Sequence, residues 1–360
     1  MSGSIMKMNN PEMSYNRLTA VEALRFLSVF QICLWHMGFP GTAAGFLGVE
    51  FFFILGGIFM YKAAVKPNSP GTLAYSWHKL SKFWFKTVLA LILTYAIYWE
   101  GLITEFKDNW VYPIMKFISE ALMLQVTGCF EYGVNCPSWF FATLIYGGAF
   151  VYLLAKYYTK LSIRLVFPAI AIFYFAYTFN NGTTETLENW DVIGGFVPLS
   201  MARGITEIGF GVVIGYMYFN YSQFFYGRLK VFNVASVLSL ILYIAIVADN
   251  RQLSQYAFIF IPILICAAMT PGTVISKLLC GKFWIFLGRI SFDIYIIHYP
   301  LIAVFRHFLL VVAGLPFWLV ATLYYISLIP AAWIFDKTAV RIQKFLFRPN
   351  NNGKIITNNA

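Results

Sequence analysis

Along most of the 360 residues, apolar runs near 18 residues long alternate with shorter polar stretches. A run of that length crosses a ~30 Å hydrocarbon layer as an α-helix. Ten can be drawn, at about 18–37, 44–61, 87–104, 139–155, 165–179, 195–219, 232–248, 256–270, 283–304 and 316–335. One more stretch, 111–127, is moderately apolar but interrupted by Pro113, Lys116 and Glu120. The pattern predicts an all-α, polytopic membrane protein of about ten transmembrane helices. A polar segment, 1–17, precedes the membrane domain at 18–335, and a basic tail, 336–360, follows it. The polar start has no cleavable signal pattern, so the first run is expected to stay as an anchor.

Composition sharpens this. Charged residues make up 11% of the chain and hydrophobic residues 60%, whereas a soluble domain carries about 25% charged residues. No separate soluble domain is expected. The net charge of +11 would suit nucleic acid, but the basic residues are sorted by side of the membrane, which points to lipid as the partner instead. With the N-terminus in the cytoplasm, the clusters Lys62–Lys86, Lys156–Arg164, Arg228/Lys230, Lys277/Lys282 and the tail all fall inside, as the positive-inside rule requires. Lys107, Lys116, Arg251 and Arg306 fall outside. Both termini are then cytoplasmic. If 111–127 also spanned, Lys156 to Arg164 would land outside, so it is expected to be an interfacial or re-entrant helix on the outer face. The five cysteines show no zinc spacing, and no metal is expected. Cys129 and Cys136 share one outer loop, where an oxidising compartment would permit a bridge.

Ionisable groups inside apolar runs are costly and usually mark function. Arg25 and His36 lie on the first run, eleven residues apart. That is close to three helical turns, so they share a face and stand roughly 16 Å apart, with Val29 and Ile32 on the stripe between them. Glu22 can instead neutralise Arg25 at i, i+3. Glu50 opens the second run after the outer turn, at a depth near His36, where a carboxylate could orient the imidazole. Arg203 and Glu207 form an i, i+4 pair on the sixth run. His298, with Asp293 and Tyr295 before it, sits in the outer half of the ninth. Trp139 heads the fourth. Lys79, Lys82 and Lys86 share one helical face beside aromatic residues. They either anchor to lipid phosphates or receive a phosphorylated ligand. No P-loop, GxSxG or HExxH is present.

Five segments, in order, resemble the acyltransferase type 3 family of integral membrane proteins that O-acylate surface glycans. They are Arg25 and His36 as R-x10-H, FLGVEFFFILGGIF at 46–59, Lys79-x-x-Lys82, CPSWFFATLIYG at 136–147, and FLGRISFDIYIIHYPL at 286–301. The chain departs from the family pattern at Gly56 (usually serine), Glu50 (usually aspartate) and Lys79 and Lys82 (usually arginines). The resemblance implies acyl transfer from acetyl-CoA or another short acyl-CoA to a sugar hydroxyl of an exported or lipid-linked glycan at a bacterial cytoplasmic membrane. It assigns Lys79, Lys82, Lys86 and Arg25 to the donor's phosphates. His36 would be general base or transient acyl carrier, with Glu50 orienting it. Trp139, Tyr295, His298, Arg203 and Glu207 would line the cavity. The alternatives are a multi-pass transporter, with Glu22–Arg25 and Arg203–Glu207 as gating pairs, and a non-catalytic subunit of envelope assembly.

Overall fold

The computed structural model describes residues 11–105, 109, 111–128, 133–180, 192–193, 197–249 and 251–346. Its helices are α1 (Pro11–Met37), α2 (Gly48–Ala64), α3 (Thr72–Glu105), α4 (Val111–Ala121), α5 (Trp139–Tyr157), α6 (Thr159–Leu161) and α7 (Phe167–Asn180). After a two-stranded hairpin, β1 (Val192–Ile193) and β2 (Val197–Pro198), come α8 (Leu199–Asn220), α9 (Ser222–Gly227), α10 (Leu229–Asp249), α11 (Ala257–Met269), α12 (Val274–Leu278), α13 (Lys282–Val304) and α14 (Phe317–Leu346). Short π-helical stretches, Ser162–Val166 and Phe305–Val312, join α6 to α7 and continue α13.

Among the described residues, eight helices are long and apolar enough to cross a membrane. The protein is an all-α, multi-pass membrane protein. Two of the ten expected spans, α1 and α8, fall outside that set. Their length is ample, at 27 and 22 residues. Glu22, Arg25 and His36 on one, and Arg203 and Glu207 on the other, lower their hydropathy.

Several elements run longer than the apolar pattern alone suggests. Residues 72–86 are the first turns of α3, not a loop. No glycine or proline interrupts the chain from Thr72 to Glu100, and Lys, Leu and Ala are good helix formers. The basic residues therefore stand on the same rigid rod as the third span. At the other end, α14 runs on through Asp336 to Leu346, so the expected tail begins as helix.

Helix α4 has 11 residues, about 16 Å, which is too short to cross. It folds back along α3: Trp84 Nε1 donates to the Ala121 carbonyl at 2.9 Å, and Phe117 meets Tyr95 edge-on. Its end is a Schellman turn. Leu124 N donates to Ser119 O and Met123 N to Glu120 O, with Met123 at φ 60° where glycine is usual.

Glycine decides how closely α2 and α8 approach. A Cβ on Gly57 would press into the Ile208 carbonyl and stand 2.8 Å from the Gly211 Cα. A Cβ on Gly215 would come within 2.7 Å of the Ile58 carbonyl. Gly211-x-x-x-Gly215 is thus a small-residue face that lets two backbones touch, the usual way helices associate without water to drive them. Gly211→Val is expected to force them apart and remove the folded protein. Size-exclusion chromatography in mild detergent checks this, and a monodisperse peak at the wild-type position would refute it.

Helix α1 lies at the centre, packed by α2, α11 and α13. Gln31 fixes its far half: Nε2 donates to the Gly45 carbonyl at 3.0 Å, and Tyr243 on α10 donates to Oε1 at 3.0 Å.

Candidate active site

The Arg25–His36 face of α1 runs past two cavities. Arg25 and Val29 line the first, of about 430 Å³, together with Lys79, Lys82 and Gly56. Ile32 and His36 line the second, of about 380 Å³, together with Trp139, Arg203 and Tyr299. Tyr295 borders both. One helix therefore presents a cation to one chamber and an imidazole to the next, and the two chambers share Tyr295. Tyr295 is held there by its own hydroxyl, which donates to the Pro137 carbonyl at 3.1 Å.

His36 does not stand alone. Its Nδ1 lies 3.0 Å from Nε2 of His298, and His298 Nδ1 lies 2.6 Å from the Tyr295 carbonyl. A carbonyl only accepts, so His298 Nδ1 carries the hydrogen and its Nε2 is left as acceptor. His36 Nδ1 must then donate, which leaves the lone pair of His36 Nε2 free. The backbone of α13 sets the tautomer of one histidine through the other. His298 is buried and His36 half-buried, with the rings of Trp35 and Tyr299 flanking His36.

This corrects the expectation for Glu50. Its carboxylate pairs with Arg203 of α8, and the group bonded to His36 Nδ1 is His298. Glu50 adjoins the site through Arg203, which lines the His36 cavity. The close α2–α8 packing turns it towards Arg203. Arg203 Nε also reaches Glu207 Oε1 at 3.2 Å, and its guanidinium sits 5.3 Å from the centre of the Trp139 ring. All three charged residues are buried. One face of this group belongs to the His36 cavity, through Arg203 and Trp139.

The basic residues divide. Lys79 and Lys82 reach the first cavity with Arg25, although Arg25 Nη1 also donates to both Glu22 oxygens at 2.8 Å. Lys86 does not line it. Its ammonium bridges Asp293 of α13 and Asp336 of α14, each at 2.7 Å. The shared helical face of the three lysines holds. About one turn beyond Lys82, however, acids from two other helices capture Lys86, which makes it a tie between α3, α13 and α14. At Gly56 a Cβ would meet only Leu144 Cδ1, at 3.8 Å, so the wall has room for the serine the family carries.

Sequence reasoning gives Glu120 no role in the site, although an acid in an apolar segment is a signal. Fully buried at the end of α4, it accepts from Val134 N at 2.8 Å, Asn135 N at 3.0 Å and Ser138 Oγ at 2.8 Å. These bonds shape the segment 133–138, which delivers Cys136 and Pro137, with Trp139 at the start of α5 directly after it, to the His36 cavity. The proposed partner of Cys136, Cys129, lies outside the described residues.

The histidine pair thus lies beside an aromatic chamber, which shares Tyr295 with a cation-lined one. The acyltransferase domain family matches residues 18–337, and the chain belongs to this family, acyltransferase type 3. It is accordingly a membrane acyltransferase. No curated protein and no solved structure matches it.

Proposed function

We propose that the protein moves an acetyl or other short acyl group from acyl-CoA to a sugar hydroxyl of an exported or lipid-linked glycan. We place it in a bacterial cytoplasmic membrane, spanning ten times, with α1 and α8 as spans beside the eight apolar ones and both termini inside. The observation that carries this reading is the pair of chambers meeting at Tyr295. Arg25, Lys79 and Lys82 suit the phosphates of the donor, each as a point charge or fork on a largely apolar wall whose one acid, Glu22, is paired with Arg25. An arm extended along the Val29–Ile32 stripe leads from those cations towards His36.

His36 Nε2, unprotonated in the tautomer set by His298, takes the acceptor hydroxyl's proton as that oxygen bonds the acyl carbonyl carbon. The carbon–sulfur bond breaks, and the proton passes to the departing thiolate. The same lone pair could instead take the acyl group first and hand it on. Arg203 offers positive charge to the oxyanion that forms on the way.

The test uses inside-out membrane vesicles and acetyl-CoA labelled in the acetyl group. Label in an extractable glycan supports the reading. Label that crosses the membrane without becoming covalently attached would point to a transporter and sink it. Within that assay, Lys79→Ala and Lys82→Ala are each expected to raise KM for acyl-CoA about tenfold, with kcat little changed. Lys86→Ala should leave KM alone and lower the unfolding midpoint instead, because it strands the buried Asp293. An unchanged KM in both cavity variants would remove the donor site from this chamber.

A further inference from the structure

A third cavity, of about 970 Å³, also has His36 in its wall. It lies between the far end of α3 and the end of α13 with its π-helical continuation. Tyr98, Trp99 and Tyr299 give it aromatic faces, Arg306 a cationic one and His307 an imidazole. Arg306 is near enough to Tyr98 and Tyr299 to act on both phenols electrostatically.

The parts have an order. Tyr299, whose ring centre is 5.9 Å from that of His36, Ala303, Arg306 and Val311 follow one another along a single continuous helical segment. From Tyr299 to Arg306 is about 10 Å along that axis, and from Tyr299 to Val311 about 18 Å. The groove thus leaves the His36 level over aromatic rings, meets a basic pair, and ends at Phe308 and Val311, which are exposed. The local widening to a π-helix falls where the basic pair is, and such widenings gather at functional sites. No carboxylate lines the groove and no ion pair holds Arg306 among the described residues. Arg306 is also one of the few cations that the positive-inside rule leaves on the outer side, so lipid anchoring on the inner face does not account for it.

We propose that this groove is the entrance for the acceptor. It takes a saccharide that carries an anionic group, phosphate or carboxylate, within a few sugar units of the acylated hydroxyl. Aromatic faces receive the sugar rings, Arg306 and His307 hold the anion, and the hydroxyl arrives at His36. The inference rests on the transfer reading for the role of His36 alone.

The test measures binding without turnover. His36→Ala protein in nanodiscs of neutral lipid, with no acyl donor, is titrated by calorimetry with three probes: tetragalacturonate, a short-chain prenyl diphosphate disaccharide, and neutral galactotetraose. At least one acidic probe is expected to bind about tenfold more tightly than the neutral one. Which of the two does so identifies a carboxylate or a lipid-linked phosphate as the source of the charge. Arg306→Gln should abolish that preference and leave the neutral probe unaffected, and Arg306→Lys should keep part of it. Equal binding of acidic and neutral probes, no binding of any probe at millimolar concentration, or a preference that survives Arg306→Gln would overturn the proposal. Because no acyl transfer is read, a failure of the vesicle assay leaves this result standing, and the reverse also holds.

Discussion

His36→Ala is expected to lower acyl transfer by roughly 10²–10⁴-fold, the range general-base help supplies, while the protein stays in the membrane at wild-type abundance. The fold should survive because the imidazole is half-buried on a cavity wall and its hydrogen bond to His298 is worth about 1 kcal/mol net. The helix packing around it is carried by Val29, Ile32 and Cys33, which are buried on the same helix. His298→Ala should fall between wild type and His36→Ala. It leaves the base in place but removes the acceptor that keeps hydrogen on Nδ1, so part of the His36 population turns its protonated nitrogen towards the substrate. The measurement is label incorporation by vesicles at matched expression. A wild-type rate in His36→Ala would put the base elsewhere. Loss of His36→Ala from the membrane would make His36 a packing residue.

Much of this site is legible along the chain, and the division between what is and what is not is physical. Arg25, Val29, Ile32 and His36 share a face because 3.6 residues per turn fixes azimuth within one helix, and the structure places that face along both chambers. Lys79 and Lys82 are readable for the same reason. Relations between helices are not. His36 and His298 are 262 positions apart, and nothing in either segment's periodicity tells which way each faces the other. Glu50 shows the limit from the other side. Its carboxylate pairs with Arg203, which lines the His36 cavity, and that direction depends on where Gly57, Gly211 and Gly215 let α2 and α8 touch. Lys86 shares the face of Lys79 and Lys82, yet its partners Asp293 and Asp336 come from α13 and α14. The π-helical Phe305–Val312 escapes altogether, since its apolar pattern looks like the end of an ordinary span. The groove it helps to form is invisible in the sequence for that reason.

Arg203→Ala is expected to be strongly destabilising. Glu50 and Glu207 are both fully buried and converge on this one guanidinium. Removing it leaves two buried carboxylates beside each other in the close-packed α2–α8 interface. Breaking such a group by deleting one partner costs about 3–5 kcal/mol, a large share of a protein's total stability. The unfolding midpoint in detergent should drop sharply, and the yield of monodisperse protein with it. Arg203→Lys should recover part of the loss, because a point charge satisfies one carboxylate better than two. The triple change Glu50→Gln, Arg203→Met and Glu207→Gln should recover most of it, since buried ion groups can often be replaced by neutral or apolar ones at little cost. That variant also separates structure from chemistry. It keeps the α2–α8 interface but takes the cation away from Trp139 and the His36 chamber. A folded triple variant with slow transfer gives Arg203 an electrostatic part in the reaction. A folded variant with the wild-type rate confines the group to holding α2 against α8. An Arg203→Ala protein as stable as wild type would mean that water or a rearranged side chain already neutralises the two acids, and that the guanidinium is not what keeps them in the α2–α8 interface.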